Sequence, residues 1–142
     1  MDKALNYLSL ARKAGRIELG EEPVGAAARA QRARLVVVAE DASDHTVRRA
    51  KSFVSGTDQQ CVRIPFSKAL LGQAVGRQEL ALAAITDPAM ALAFLKALPE
   101  QSRYESALKS LQIRTTRVQS RQAEARAHEK NVKKGRFARK EK

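Results

Sequence analysis

Leu35-Val36-Val37-Val38-Ala39 is the stretch of sequence that decides the fold. Its apolar, β-branched run is unbroken, whereas a strand with one solvated face alternates apolar with polar residues. Polar residues flank the run, which ends in Glu40-Asp41-Ala42-Ser43. The run therefore predicts a central strand that is covered on both faces, and with it an α/β protein.

Shorter strands and helices alternate along the chain around this run. The other predicted strands are Ile17–Leu19, Cys61–Ile64 and Leu80–Thr86. The predicted helices run from Asp2 to about Ala14, from Glu21 or Glu22 to Arg32, from Ser43 or Asp44 to Val54, from Ser67 to the Gly72–Gly76 segment, and from Asp87 to Leu98. This alternation predicts a three-layer α/β/α sandwich around a small mixed sheet.

Positive charge is concentrated towards the C-terminal part of the chain. The 142 residues include 27 Lys and Arg and 15 Asp and Glu, for a net charge of +12. Residues 1–98 hold 14 basic and 10 acidic side chains, whereas residues 99–142 hold 13 and 5. We place a boundary at Pro99, between a folded domain (1–98) and a basic extension (99–142). The asymmetry predicts a polyanionic partner, most simply nucleic acid, and the extension has too few bulky apolar residues to favour a membrane surface.

The basic extension is expected to be helical in its first part or disordered. Tyr104, Leu108 and Leu111 predict a helix that docks on the domain, and beyond them arginines recur three and four residues apart, on one helical face. An isolated aromatic, Phe137, is available for stacking on a base. The side chains expected to contact phosphates are Arg114, Arg117, Arg121, Lys133, Lys134, Arg136, Arg139 and Lys140.

No catalytic or metal-binding pattern emerges from the sequence. Cys61 is the only cysteine, which rules out an internal disulfide, and we expect it to be a buried strand residue. His45 and His128 are far apart, and the adjacent Glu40 and Asp41 suit capping of the third helix better than acid–base chemistry. We therefore expect a protein that is not an enzyme and has no cofactor or metal. The start of the chain does not resemble a signal peptide, and cytoplasmic residence is the expectation.

Gly20 to Arg29 is the first candidate binding element. Gly20 tolerates the backbone angles of a tight turn, and Pro23 suits a first helical turn, whose amides lack intrahelical acceptors. Glu21 and Glu22 would lie at the positive end of the helix. Such a helix start also lets a backbone approach a phosphate closely, with Arg29 and Arg32 as the nearby cations. The alternative is an ordinary helix start that only packs on the sheet.

Gly72-Gln73-Ala74-Val75-Gly76 is the second candidate element. Its glycines fit either a helix end with a turn or a loop that contacts a ligand. The glycine spacing does not match a Walker A motif, and no Lys-Ser or Lys-Thr follows. A nucleotide phosphate loop is therefore excluded, while both other interpretations stay open.

Three blocks of the sequence resemble the kink-turn-binding ribosomal protein family, in particular its small bacterial YlxQ-like branch. They are Gly20 to Val38, Val38-Ala39-Glu40-Asp41-Ala42, and Ser67-Lys68-Ala69-Leu70-Leu71-Gly72-Gln73-Ala74-Val75-Gly76. The last is similar to the family's Ser-Lys-x-x-Leu-Gly-x-Ala-x-Gly segment, and the resemblance covers roughly residues 3 to 98.

The resemblance implies an α/β/α sandwich that binds RNA through two neighbouring features. The start of the second helix would enter a widened groove at sheared G·A pairs, and the loop after the glycine segment would pack on an extruded nucleotide. Mapped onto this sequence, these features are Gly20, Glu21, Glu22, Pro23, Val24 and Ala26, and Gly72, Ala74, Val75, Gly76 and Arg77. The family's Asn-Glu-x-x-Lys set is replaced here at Glu22, Pro23 and Ala26.

The sequence thus predicts a non-catalytic RNA-binding protein, ribosomal or ribosome-associated, whose partners are structured RNA, including kink-turn RNA, and ribosomal proteins. One alternative is a protein-interaction module of the same fold that attracts RNA only through its tail. Another is the substrate-binding domain of an RNA-modifying enzyme, which is weakened because no catalytic domain follows Pro99.

Overall fold

The computed structural model describes residues 2–113 and 115. In this part of the chain four strands form one mixed sheet in the order β1-β4-β2-β3, with bounds β1 Ile17–Leu19, β2 Leu35–Val38, β3 Gln60–Arg63 and β4 Leu82–Ile85. β2 runs parallel to β3 and antiparallel to β4, and β1 pairs antiparallel with β4. All residues of β2 and β4 are buried, which confirms the central strand predicted from the valine run.

Helices cover the sheet in two layers. Their bounds are α1 Lys3–Lys13, α2 Glu21–Arg29, α3 Asp44–Val54, α4 Lys68–Val75 and α5 Pro88–Lys96. α1 packs against α4 and α5, whereas α2 packs against α3 and on β1 and β4. The predicted three-layer α/β/α sandwich with a mixed sheet is confirmed.

Helix starts follow the predicted capping residues closely. Asp2, Ser43, Ser67 and Asp87 each accept a hydrogen bond from a backbone N–H in the first turn of the helix that follows. Such a bond satisfies one of the amides that a helix start leaves without an acceptor. The caps are local in sequence, which is why the sequence predicts them correctly.

One helix ends earlier than the sequence predicts. α2 stops at Arg29 rather than Arg32, because the backbone turns at Gln31 (φ +60°) and the Arg32 N–H donates back to the Ala27 carbonyl at 2.8 Å. The buried Gln59 side chain holds this turn: Nε2 donates to the Ala28 carbonyl at 3.1 Å, and Oε1 accepts from the Ala33 N–H at 3.0 Å. α4 ends within the predicted Gly72–Gly76 segment, at Val75, with Gly76 in the left-handed conformation (φ +79°) as its C-cap.

The chain beyond Pro99 continues to pack on the sandwich. A 3-10 helix, Gln101–Tyr104, leads into helical residues 105–113 and 115, here called α6. Tyr104, Ala107 and Leu111 are buried in the same hydrophobic core as the sheet, and Gln60 Nε2 donates to Ser110 Oγ at 3.2 Å. The predicted docking of this helix is confirmed. The boundary at Pro99 stays a prediction for the RNA-binding unit, but the core does not end there.

Candidate nucleic-acid interface

The strand pairing brings the two candidate elements to one end of the sheet, where β1, β2 and β3 finish and β4 begins. Val38 lies opposite Leu82 on β4 and Arg63 on β3, and Leu19 lies opposite Ala83. The segments that follow β1, β2 and β3 therefore meet the segment that precedes β4. We call this the loop edge and define it by Gly20–Glu22, Glu40–Asp41 and Gly76–Glu79.

Gly20 makes the turn from β1 into α2 with a backbone that favours glycine. Its φ is +93° and its ψ is 167°, its N–H donates to the Leu82 carbonyl at 3.0 Å, and its carbonyl accepts from the Val24 N–H at 3.0 Å. Among α1–α5, α2 is the helix that starts without a side-chain cap. Because Pro23 has no N–H, the uncapped donors of the first turn are the amides of Glu21 and Glu22.

Arg77 lies beside this turn. Its Nη1 is 3.9 Å from the position that a Cβ atom on Gly20 would occupy. Residues separated by more than fifty positions in sequence thus place a guanidinium next to an uncapped helix start. This pairing suits an anionic oxygen, because both the guanidinium and the helix start attract negative charge.

Of the two interpretations of the Gly72–Gly76 segment, the helix end with a turn agrees with the structure, and a loop formed by the whole segment does not. Gly72, Ala74 and Val75 are buried residues of α4, and only Gly76 and Arg77 of this candidate group are exposed. A Cβ atom on Gly72 would lie 2.8 Å from backbone atoms of Arg77 and Glu79, so this glycine allows the loop to pack against the helix. These buried residues shape the loop edge, and their side chains do not form its surface.

The predicted residues of α2 are also divided between core and surface. Val24 is fully buried, whereas Glu22 is exposed and Glu21 is half-buried. Arg29 and Arg32 are exposed but lie at and beyond the far end of the helix, with Arg29 about 12 Å along the axis from Glu21. They do not join Arg77 at the loop edge.

Arg49 of α3 is a residue at this site that the sequence analysis missed. Its Nε donates to Glu21 Oε1 in an ion pair, and its guanidinium lies 5.1 Å from the centre of the Phe53 ring. The Phe53 ring in turn packs on Gly25, 3.1 Å from where a Cβ would be. The spacing of Arg49 and Phe53 by four residues predicts their stacking on a helix, but nothing local predicts a pair with Glu21, 28 positions away.

The acidic turn after β2 caps a different helix from the one predicted. Asp41 Oδ1 accepts from the backbone N–H of Lys68, the first residue of α4, at 2.8 Å. Ser43, and not Asp41, caps α3. Because β2 and β3 are parallel neighbours, their C-terminal ends lie together, and the turn after β2 is brought to the helix that follows β3.

No three His, Cys, Asp or Glu side chains within residues 2–113 and 115 come together as metal ligands. Cys61 is half-buried rather than fully buried, since β3 is an edge strand, and desolvation raises the pKa of its thiol to about 11. Burial likewise raises the pKa of Tyr104. No helix in this part of the chain has the length and apolar character needed to cross a membrane.

The predicted phosphate contacts of the tail fall outside the described residues. They remain predictions for Arg114, Arg117, Arg121, Lys133, Lys134, Arg136, Arg139 and Lys140.

Comparison with known proteins identifies relatives over the region that forms the sandwich. A model of the ribosomal protein L7Ae/L30e/S12e/Gadd45 family matches residues 2–95. The RNA-binding protein YlxQ of Enterococcus faecium is 37% identical over 75 residues, which make up 53% of this chain and 72% of that protein.

Solved structures share the fold at lower sequence identity. A protein with unknown function from Bacillus halodurans superimposes with a TM-score of 0.65 at 24% identity, covering 70% of this chain and 100% of its own. The 15.5kD RNA binding protein of Giardia lamblia superimposes with a TM-score of 0.55 at 21% identity, covering 66% of this chain and 79% of its own. At these identities the two structures support the fold alone.

Proposed function

The chain belongs to the ribosomal protein L7Ae/L30e/S12e/Gadd45 family, and from this premise we propose that it is a non-catalytic protein that binds structured RNA at its loop edge. The observation that carries the proposal is the meeting of Gly20 and Arg77. An uncapped helix start and a guanidinium lie side by side there, with 3.9 Å between Arg77 Nη1 and the Cβ position of Gly20. Phosphate and base-edge oxygens are acceptors that match both groups.

The name of the bacterial relative supports RNA as the ligand. The Enterococcus protein is described as RNA-binding, and the chain covers 72% of it. We extend this description to the present chain. A ribosomal or ribosome-associated RNA in the cytoplasm is the proposed target, with ribosomal proteins as neighbours in the same particle.

Kink-turn RNA is the proposed structural class, read here mainly by backbone groups. The positions that match the family's Asn-Glu-x-x-Lys set, Glu22, Pro23 and Ala26, are all exposed in the structure. None of these side chains donates a hydrogen bond. Recognition therefore depends on the amides near Gly20 and on Arg77, so we expect lower selectivity among G·A-containing RNAs than an Asn-Glu-x-x-Lys set provides.

Affinity that does not depend on RNA sequence is assigned to the basic tail. Residues 99–142 carry 13 basic and 5 acidic side chains. Each phosphate that they neutralise releases counterions, so binding should weaken steeply with salt. Replacing Lys133, Lys134, Arg136, Arg139 and Lys140 by Gln should weaken binding to every RNA alike and flatten the salt dependence. A loss confined to one RNA would contradict this division.

Binding assays on the full chain test the proposed surface. The RNAs are a kink-turn and a duplex of equal length and charge without tandem G·A pairs. We expect Arg77→Ala to weaken kink-turn binding about tenfold. Arg16→Ala is the matched control, since Arg16 is exposed and precedes β1 at the opposite end of the strands. It should lower the affinity for kink-turn RNA only about twofold, through the loss of one charge.

The outcomes separate the candidate functions. Equal losses for Arg77→Ala and Arg16→Ala would overturn the loop edge as the binding surface. Equally weak binding of the unmodified chain to both RNAs and to dextran sulfate would overturn structured-RNA recognition and favour a protein-interaction module. Removal of all residues after Leu98 is unsuitable as a test, because it deletes Tyr104, Ala107 and Leu111 from the core.

A further inference from the structure

The loop edge carries carboxylates that would repel a phosphate. Glu22 and Glu79 are exposed there, and Glu21 lies in the first turn of α2 beside the uncapped amides. Like charges at close range oppose binding, and a carboxylate beside a helix start also competes for the same donors. Any anion that uses these amides therefore requires Glu21 to be held elsewhere.

Arg49 provides this restraint. It pairs with Glu21 through Nε, and the two side chains are 49% and 39% exposed, so the pair lies at the surface near the helix start. The guanidinium rests over Phe53, whose ring packs against α2 at Gly25. Arg49 is thus fixed on α3 by a stacking contact that does not involve Glu21, and this leaves it suitably placed to direct the carboxylate.

We propose that Arg49 is a positioning residue for RNA binding: it holds the Glu21 carboxylate towards α3 and so keeps the first-turn amides of α2 open to an RNA oxygen. This inference rests on the proposed function. Without Arg49, the Glu21 carboxylate is drawn to the positive end of its own helix and occupies the site from within. Arg49 acts through Glu21 and not by touching the RNA.

The test compares neighbouring arginines in the full chain, with kink-turn RNA as the probe. Arg48 is exposed, adjacent on α3 and equal in charge, whereas Glu21 pairs with Arg49. We expect Arg48→Ala to weaken binding about twofold through loss of one charge. Arg49→Ala should weaken it about tenfold, since a freed carboxylate then blocks the amides. Arg49→Lys, which retains a cation beside Glu21, should recover most of the affinity.

A second background distinguishes positioning from direct contact. In a Glu21→Gln chain no carboxylate remains to be restrained, so the loss caused by Arg49→Ala should shrink to that of Arg48→Ala. A full tenfold loss in that background would show that Arg49 contacts RNA itself and would overturn the positioning role. Equal losses for the two arginines in the unmodified background would overturn it as well.

Failure of the proposed function gives a different result from failure of this inference. An unmodified chain that binds no RNA overturns both. Binding by the unmodified chain together with any of the contrary arginine results overturns the role of Arg49 alone. Circular dichroism of each variant excludes unfolding as the cause of lost affinity, and Arg49→Lys repeats the comparison with a smaller change of side chain.

Discussion

α2 and α4 begin at the same end of the sheet, but the start of α4 is capped by side chains and the start of α2 is not. The start of α4 is closed: Ser67 Oγ accepts from the Leu70 N–H at 3.2 Å, and Asp41 Oδ1 accepts from the Lys68 N–H at 2.8 Å. The start of α2 is a glycine without a side-chain acceptor. A closed start stabilises the helix, whereas an open start leaves donors for another molecule.

The ends of the same helices show how the open start is tolerated. The far end of α2 is held by the buried Gln59, whose Nε2 donates to the Ala28 carbonyl and whose Oε1 accepts from the Ala33 N–H just beyond the helix. α4 ends in Gly76, and Gly72 lets the following loop pack on the helix. α4 is thus held at both ends, whereas α2 has a side-chain contact at its end and none capping its start, and the predictions below probe each contact in turn.

The largest effect is expected at Gly72. A Cβ atom there would lie 2.8 Å from the backbone of Arg77 and Glu79, and backbone cannot move aside as a flexible side chain does. Gly72→Ala should lower the free energy of unfolding by about 3 kcal/mol, measured by urea denaturation. Gly76→Ala is the control, because an added Cβ there has open space around it and only the φ of +79° is unfavourable. It should lower the free energy of unfolding by about 1 kcal/mol. Equal midpoints for the two variants would refute the close approach.

Gln59→Ala tests the fastening of the α2 end. It leaves the buried Ala33 N–H without its acceptor and removes one of the two donors to the Ala28 carbonyl, which keeps the Gln31 N–H at 3.0 Å, so we expect a loss of about 2 kcal/mol in the free energy of unfolding. Gln73, exposed on α4, is the matched control and should change stability by less than about 0.5 kcal/mol when replaced by Ala. If the two variants unfold at the same urea concentration, the fastening role is wrong.

Gly20→Ala tests the open start itself. The backbone at φ +93° and ψ 167° is rarely adopted by residues with a Cβ, so the free energy of unfolding should fall by about 1.5 kcal/mol. The added methyl group would also lie 3.9 Å from Arg77 Nη1, in the space that we propose for an RNA oxygen, so binding to kink-turn RNA should weaken. Thermal denaturation and RNA binding are measured on the same samples. A variant with reduced stability and unchanged RNA affinity would show that the turn is structural only.

The smallest effect is expected at the closed start. Ser67→Ala removes the acceptor for the Leu70 N–H and should lower the free energy of unfolding by about 1 kcal/mol, with RNA affinity unchanged. Ser67→Thr retains the hydroxyl and serves as the control. A larger change in RNA binding than in stability would remove the contrast between the two helix starts.

The sequence predicted the features that depend on neighbours along the chain. The valine run identifies β2, because burial on both faces requires uninterrupted apolar residues. Asp2, Ser43, Ser67 and Asp87 identify helix starts, because each caps an amide two or three residues later. Gly20 was placed correctly in the turn for the same reason, since the need for its positive φ is local.

The features that sequence analysis missed depend on partners brought together by the fold. Gln59 reaches 26 and 31 positions back to fasten α2, Asp41 reaches 27 forward to cap α4, and Arg49 reaches 28 back to Glu21. The sequence analysis interpreted Gly72 only as part of a helix end or a loop, whereas its role is a close approach of two backbones. Such long-range contacts cannot be predicted from the pattern of residue types alone, because they depend on the order of the strands in the sheet.

The pairing of β1 with β4 has a consequence for how the molecule assembles. β1 is an edge strand of the described sheet and pairs there with β4, with Leu19 opposite Ala83. β1, which lies early in the chain, can therefore join the sheet only once β4, which lies late in the chain, is in place. Closing so long a loop is entropically costly and slow. Gly20 is held by its bond to the Leu82 carbonyl. On a translating ribosome, we therefore expect the turn proposed to bind RNA to form only after β4 has emerged, so that a nascent chain acquires its binding site late in its own synthesis.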